Sequence, residues 1–396
     1  MAERVFLHVG TPKSGTTHLQ SVLWHNADQL KSAGLLLPGR FQTHYAAAKG
    51  LTDRSKQMRK TRVHIEDAWP RLTRRINRWR QDALVSHELL APASDEQAAA
   101  AKAMLAEAEV HIVVTARALH RQLPASWQQQ VQGGASTPYD VFIREVRDRH
   151  GKGAWFWGVQ DVPDIARRWA GDLPSERVHV VTVPTTSAQP RLLWQRYASV
   201  LGLEPDAYDV AAPAMNMSLG LVESELLRLV NAFQDPRFRG PERLPWTRKL
   251  LANRILGKRR GLPIRPPADA GDWLSERAAA MTAELHASGY DVVGSLDELA
   301  WQPSDDARPV DSVTPAELAE ASRYAIAQLQ QELVQRNRPH PPLPDADGDN
   351  GISDILELLE HIRAADTGSA PRPAPSIRGK TSSGRARRAV AGLRRG

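Results

Sequence analysis

The chain is 396 residues long, 41% of them hydrophobic, and has no cysteine. That is enough apolar material for a large core and two or three domains, and it excludes disulfides, thiolate nucleophiles, iron–sulfur clusters and cysteine-bound zinc. The formal charge of +7 lies wholly in residues 366–396, where eight bases face Asp366 alone, so the rest of the chain is neutral and offers no general basic surface for nucleic acid.

The chain opens on VFLHV (5–9), an apolar, β-branched run suited to a strand covered on both faces. GTPKSGTT (10–17) follows, and Leu19, Val22, Leu23 and Leu30 then recur at helical spacing over 16–32, with Gly34 as a stop. LLLP (35–38), ALVSHE (83–88), VHIVVTAR (110–117) and VHVVTVP (178–184) read as further strands. Helical patterns fall at 65–80, 95–108, 118–131, 160–171 and 188–201. Strand alternating with helix predicts an α/β fold of doubly wound type, a P-loop-like parallel sheet flanked by helices; the strand order is not legible.

Beyond residue 210, SLGLVESELLRLVNAF (218–233) reads as an amphipathic helix, and the basic, Pro-rich stretch 235–267 as a mobile flap or insertion. A helix at 272–289 and YDVVGSLDELAWQP (290–303) close a main domain expected to span 1–303. Residues 304–365 are expected to form a helical extension and linker. Within it, 314–337 starts on Thr314 with Glu317 three residues on, a capping-box pattern. DADGDNG fits a polar linker better than a calcium loop, and a short helix near 352–364 follows. Residues 366–396 have the composition of a disordered Arg-rich tail, through which nucleic acid or anionic lipid could be touched. No apolar run approaches the ~18 residues of a membrane helix and no signal-peptide pattern opens the chain, so a cytoplasmic location is expected.

GTPKSGTT departs from a Walker A loop in one telling way. Gly10, Gly15 and Thr17 fit the frame, but Thr16 stands in the lysine position and the lysine is Lys13. Loop amides at a helix N-terminus hold phosphate oxygens without a metal. The later strand VVTAR ends on Arg117 where an acid would help magnesium, so the loop reads as an anion site that dispenses with the metal. HELLA does not continue the zinc-protease pattern, since Ala91 stands where the second histidine belongs.

Pro12, Lys13, Ser14, Gly15, Thr16 and Thr17 make this loop similar to the 5′-phosphosulfate-binding loop of the sulfotransferase family, and the chain resembles actinobacterial sulfotransferase-like proteins over roughly residues 4–302. The resemblance implies 3′-phosphoadenosine 5′-phosphosulfate (PAPS) as donor and no metal, with Lys13 near the bridging oxygen and the loop hydroxyls and amides on the 5′-phosphate. It places Arg117 and Ser126 on the 3′-phosphate, Ser126 lying nine rather than the usual eight residues on. Its catalytic base falls on Glu88, with His87 beside it; on a strand only one of the two faces the site. Asn216 and Ser218 of NMSLG would touch donor or acceptor, although Ser218 equally suits a helix N-cap. Trp155 and Trp157 suit either an acceptor sugar or the core. The implied reaction is sulfuryl transfer to a hydroxyl or amine of a small-molecule or carbohydrate acceptor, and the basic segments 54–62 and 237–260 are compatible with an anionic one. Two other readings are a magnesium-dependent P-loop kinase or NTPase, and a non-catalytic nucleotide-binding scaffold with a basic tail.

Overall fold

The computed structural model describes residues 2–52, 67–105, 107–185, 189, 191–210, 218–233, 235–238, 240–259, 261–303, 308–339 and 350–374. In chain order the elements are β1 (Arg4–Gly10), α1 (Thr16–His25), α2 (Ala27–Ser32), β2 (Leu35–Leu36), α3 (Phe41–Thr52), α4 (Ala68–Ile76), β3 (Asp82–Ser86), α5 (Asp95–Ala103) and β4 (Glu109–Ala116). Then come α6 (Leu119–Gln132), α7 (Tyr139–Arg147), α8 (Lys152–Gln160), α9 (Val162–Ala170), β5 (Val178–Thr182), α10 (Leu192–Val200), α11 (Leu221–Ala232), α12 (Gly271–Ala287), β6 (Asp291–Val293), α13 (Pro315–Gln335) and α14 (Asn350–Thr367).

Six parallel strands form one sheet in the order β2-β3-β1-β4-β5-β6, flanked by helices, which is the expected α/β class. The central strand β1 pairs with β3 on one side (Phe6 opposite Leu84) and with β4 on the other (Phe6 opposite His111). Val5 to Gly10 are all buried, because a strand covered on both faces has no polar side to show. The chain leaves β1 toward one edge and later crosses to the other, so the loop after β1 sits where the strand order reverses, the crevice in which open α/β sheets place ligands.

Two compact units share the chain. The first comprises Met1–Leu123, Arg144–Met215 and Ala268–Pro303, and contains the sheet. In its core Phe6, Leu84 and Val113 from the strands meet Leu19 and Leu23 of α1 and Trp194 and Tyr197 of α10. The second comprises Pro124–Ile143, Asn216–Pro267 and Ser304–Gly396 and is helical among its described residues. There α13 packs on α14, with Ala321, Ala325, Leu329 and Leu333 buried at four-residue intervals. Thr314 and Glu317 make the anticipated capping box: the Thr314 hydroxyl accepts from the Glu317 amide and the Glu317 carboxylate from the Thr314 amide.

Several boundaries differ from the sequence reading. The helix expected over 16–32 breaks at Asn26, whose side-chain amide donates to the carbonyls of Val22 (2.8 Å) and Asp209 (2.9 Å). The strand expected over 83–88 stops at Ser86, and the helix expected from Ser218 starts after Gly220. The stretch 235–267, read as a flap, holds short 3-10 turns and an 11-residue π-helix, Pro245–Ile255. α3, α7, α8 and β6 were not anticipated. The linker DADGDNG up to residue 349, segment 54–62, Asn216 and the tail from residue 375 lie outside the described residues. No helix among the described residues is long and apolar enough to cross a membrane.

Leu23 is fully buried beneath the loop-bearing strand. Leu23→Ala is expected to cost about 2–5 kcal/mol of stability in the sheet-containing unit, read as a lower denaturant midpoint by circular dichroism.

Candidate anion site at the end of the central strand

Three left-handed residues turn the chain from β1 into α1: Gly10 (φ 107°), Lys13 (φ 63°) and Gly15 (φ 83°). Lys13 holds this conformation without the freedom of glycine, a strain that the surrounding contacts must maintain. Gly15 is the N-cap of α1 and leaves the helix start without a side-chain cap or an acid in its first turn. The amides that open α1 therefore have no intrahelical partner and present positive partial charge to an anion.

The rest of the loop is fastened to the sheet. The fully buried Ser14 hydroxyl donates to Thr11 O (2.5 Å) and meets the Thr115 hydroxyl on β4, while the Thr11 amide donates to Thr115 O (3.1 Å). Ser14 thus faces inward, Thr16 is buried, and Thr17 is exposed. Two buried glutamines hold the loop from behind: Gln122 Nε2 of α6 and Gln160 Nε2 of α8 donate to Pro12 O at 3.1 and 2.9 Å, and Gln122 Nε2 also donates to Gln160 Oε1 (2.8 Å).

Arg117 follows β4 directly and donates from Nη1 to Lys13 O at 3.0 Å. Its Nε is buried without a partner, and among the described residues no carboxylate pairs with it. Burial lowers its pKa to about 10, helped by the positive charge of Arg121, which itself donates to Pro184 O (2.8 Å). A half-buried guanidinium beside an open helix start, with no carboxylate pairing with it among the described residues, is complementary to an anion. Among the described residues no three His, Asp or Glu side chains stand together as metal ligands.

Glu88 touches the same loop. A Cβ on Gly10 would lie 3.1 Å from both Cα and Cβ of Glu88, so glycine at the strand end is what allows the two segments to meet. After β3 ends, His87 stays extended and its amide donates to His8 O (3.1 Å); Glu88–Leu90 then forms one 3-10 turn, capped by His87 Nδ1 accepting from the Leu89 amide (3.1 Å). The strand alternation expected for His87 and Glu88 is replaced by this turn. His87 points inward against Phe41 and Tyr45, and burial holds its pKa below the usual histidine value. Glu88 keeps a side chain that is 28% exposed, and Gln20 Nε2 of α1 donates to its Oε2 (3.1 Å).

Ser86 ties this corner together: its amide donates to His44 Nδ1 (3.1 Å), and its hydroxyl bonds His8 Nδ1 (2.8 Å). His8 and His44 are buried, and their pKa values fall to about 3, through burial first and the nearby His87 second.

The structure thus brings Pro12 to Thr17, Arg117, His87 and Glu88 together in the first unit. Ser126, buried on α6, and Ser218, whose hydroxyl donates to Gln128 Oε1 (3.1 Å), belong to the second unit. Trp157 is buried, donating to Val146 O (2.7 Å) with Arg149 and Arg277 over its ring, whereas Trp155 is exposed. Gln20, Gln122 and Gln160 escaped the sequence reading; their only signal is a polar amide on the apolar face of a helix.

Fold and site together define a parallel α/β protein with a candidate anion site at the end of its central strand. No protein-family model matches the chain, and no curated protein matches it. Among solved structures it is similar to a sulfotransferase from Alicyclobacillus acidocaldarius, at 16% identity over 63% of this chain and 97% of that one, with a TM-score of 0.34. So slight a likeness carries no argument, and function must be argued from the site.

The buried histidines make stability depend on pH. The pKa values of His8 and His44 lie below the ordinary 6.5, so between about 3 and 6.5 the unfolded chain binds the extra protons. Their contribution is present above pH 6.5 and is lost as pH falls toward 3, by up to about 1.4 kcal/mol per pH unit for each histidine. Urea unfolding at successive pH values should show this loss, with a shallower slope in His8→Asn.

Proposed function

We propose that the chain is a PAPS-dependent sulfotransferase that transfers a sulfuryl group to a hydroxyl or amine. One observation carries the reading: Arg117, half-buried, lodged on the loop carbonyl of Lys13, with its Nε buried without a partner and no carboxylate pairing with it among the described residues. In a magnesium-dependent NTPase that strand end would favour an acid for the metal. A guanidinium there suits a second, dianionic phosphate, such as the 3′-phosphate of the donor nucleotide.

The fit can be stated group by group. The opening amides of α1 and the Thr16 and Thr17 hydroxyls would hold the 5′-phosphate, and Arg117 the 3′-phosphate. Lys13 would neutralise the charge that grows on the bridging oxygen. The bound donor supplies an activated sulfuryl group whose S–O bond to the 5′-phosphate breaks as an S–O bond to an acceptor hydroxyl, or an S–N bond to an acceptor amine, forms. Glu88 takes the acceptor proton, its Oε2 held by Gln20 and its turn lying against the loop. His87 is the weaker candidate for the base because its Nδ1 is engaged by the Leu89 amide and its ring is buried. Ser126, Ser218 and Asn216 are left out of this set, which is drawn from the first unit alone.

Calorimetry with 3′,5′-diphosphoadenosine in EDTA tests the donor site. Metal-independent binding that weakens about tenfold or more in Arg117→Ala supports the reading, whereas no binding, or a preference for magnesium–ATP, overturns it. With an acceptor found by screening, Glu88→Gln should lower kcat by about 10²- to 10⁴-fold and leave diphosphoadenosine affinity unchanged. Lys13→Ala should reduce kcat far more than that affinity, since its partner charge is greatest in the transition state. Equal losses in rate and affinity would remove Lys13 from the chemistry.

A further inference from the structure

A second set of guanidinium groups lies in the first unit. Arg71, Arg74, Arg75 and Arg78, on and just after α4, line a cavity of about 440 Å³ whose opposite wall is α3, through Gln42 and Ala46. The four are exposed; Arg71 pairs with Asp67 at 3.8 Å, and among the described residues no carboxylate pairs with Arg74, Arg75 or Arg78. α4 buries Trp69, Leu72 and Ile76, Leu72 also lining the cavity, while Arg71, Arg74 and Arg75 on the helix and Arg78 just after it are exposed.

The same helix α3 that walls this cavity also faces the proposed base. Phe41 and Tyr45, one turn apart, lie 5.3 and 5.5 Å from the His87 ring, next to Glu88, and each leaves part of its own ring open to solvent, 37% and 41%. Gln42 is exposed between them and the arginines and belongs to the cavity lining. The exposed residues Phe41, Gln42 and Tyr45 of α3 and the exposed arginines on and after α4 therefore make a band about one helix diameter, about 10 Å, across.

We propose that this band is a binding groove for an acidic oligosaccharide, the acceptor class of the reaction proposed above, on which that role rests. Each part matches one feature of such a chain. The open faces of Phe41 and Tyr45 suit the apolar faces of sugar rings. Arginine forks suit carboxylates or sulfates repeated along the chain, and a flexible lysine patch would not give the same bidentate geometry. A ring lying over α3 brings a hydroxyl toward Glu88 while its charged neighbours lie over α4.

The test uses the full chain and a fluorescently labelled hyaluronan octasaccharide, with maltooctaose and a single-stranded DNA oligomer of equal net charge as competitors. Anisotropy is expected to give saturable binding that maltooctaose does not compete, that weakens about tenfold or more in Arg74→Gln/Arg75→Gln/Arg78→Gln, and that also weakens in Tyr45→Ala. Diphosphoadenosine affinity should be unchanged in these variants. If the triple variant loses it, Arg78→Gln alone is read instead, by a shallower salt dependence of octasaccharide binding. No octasaccharide binding, binding unaffected by the arginine changes, or DNA binding as tight as the octasaccharide would overturn the proposal, the last assigning the groove to nucleic acid. A protein that binds the octasaccharide through the arginines but never diphosphoadenosine would keep the groove and discard the donor reading.

Discussion

A side chain at residue 10 would press on the backbone of Glu88, and the candidate site exists because none is there. β1 is the central strand, so the chain leaving it can reach both neighbours: β3, which ends two residues before Glu88, and β4, which ends one residue before Arg117. Glycine lets the loop turn at φ 107° and lets the Glu88 turn settle against it at van der Waals distance. Loop, carboxylate and guanidinium are thus assembled from three strand ends. Everything else at the site holds that juncture still: Ser14 and Thr11 on Thr115, Gln122 and Gln160 on the Pro12 carbonyl, Gln20 on Glu88.

The division between hydrogen bonds that are spent and those that are open follows from burial. Ser14 looks like a phosphate ligand by its position in the loop, yet its hydroxyl is consumed by the sheet. The Pro12 carbonyl, which would repel an anion, is turned away and covered by two amide donors. What remains toward solvent is the uncapped start of α1, Thr17 and the partly buried Lys13, with Arg117 behind them. A loop so arranged has turned its acceptors inward and left donors and cations on the ligand side, which is the polarity an anion requires.

The strands were legible because burial on both faces leaves them as uninterrupted apolar runs; VFLHV and VHIVVTAR could hardly be anything else. β6 escaped because its three residues are short and partly exposed, and α3 because FQTHYAAAKGLT spreads its apolar positions among polar ones and turns two aromatic rings outward. The loop and Arg117 were legible from residue type and strand-end position. The manner in which Glu88 is presented was not: alternation along a strand assumes that the strand continues, whereas His87 closes it by capping the next turn. The three glutamines were invisible for a different reason. A neutral amide buried in a helix face has no periodicity of its own and becomes meaningful only when the carbonyl or carboxylate it serves is known.

Charge placement joins the two arginine sets into one argument. Outside residues 366–396 the chain is neutral, so a local surplus of guanidinium must be matched by acids placed elsewhere. Many arginines here are matched: Arg168 with Asp164, Arg196 with Glu298 and Arg277 with Asp161 pair at 2.6–2.9 Å. Pairing is therefore the ordinary condition of an arginine in this protein. Arg117 departs from it through a buried nitrogen without an acceptor, and Arg74, Arg75 and Arg78 through exposure around a cavity with no carboxylate pairing among the described residues. The buried Nε makes the first the more demanding, because that nitrogen lacks water as well as a carboxylate. Solvent screens the second, so each α4 arginine attracts weakly and only a ligand that meets several at once gains much from them. A compact dianion answers the first condition and an extended polyanion the second.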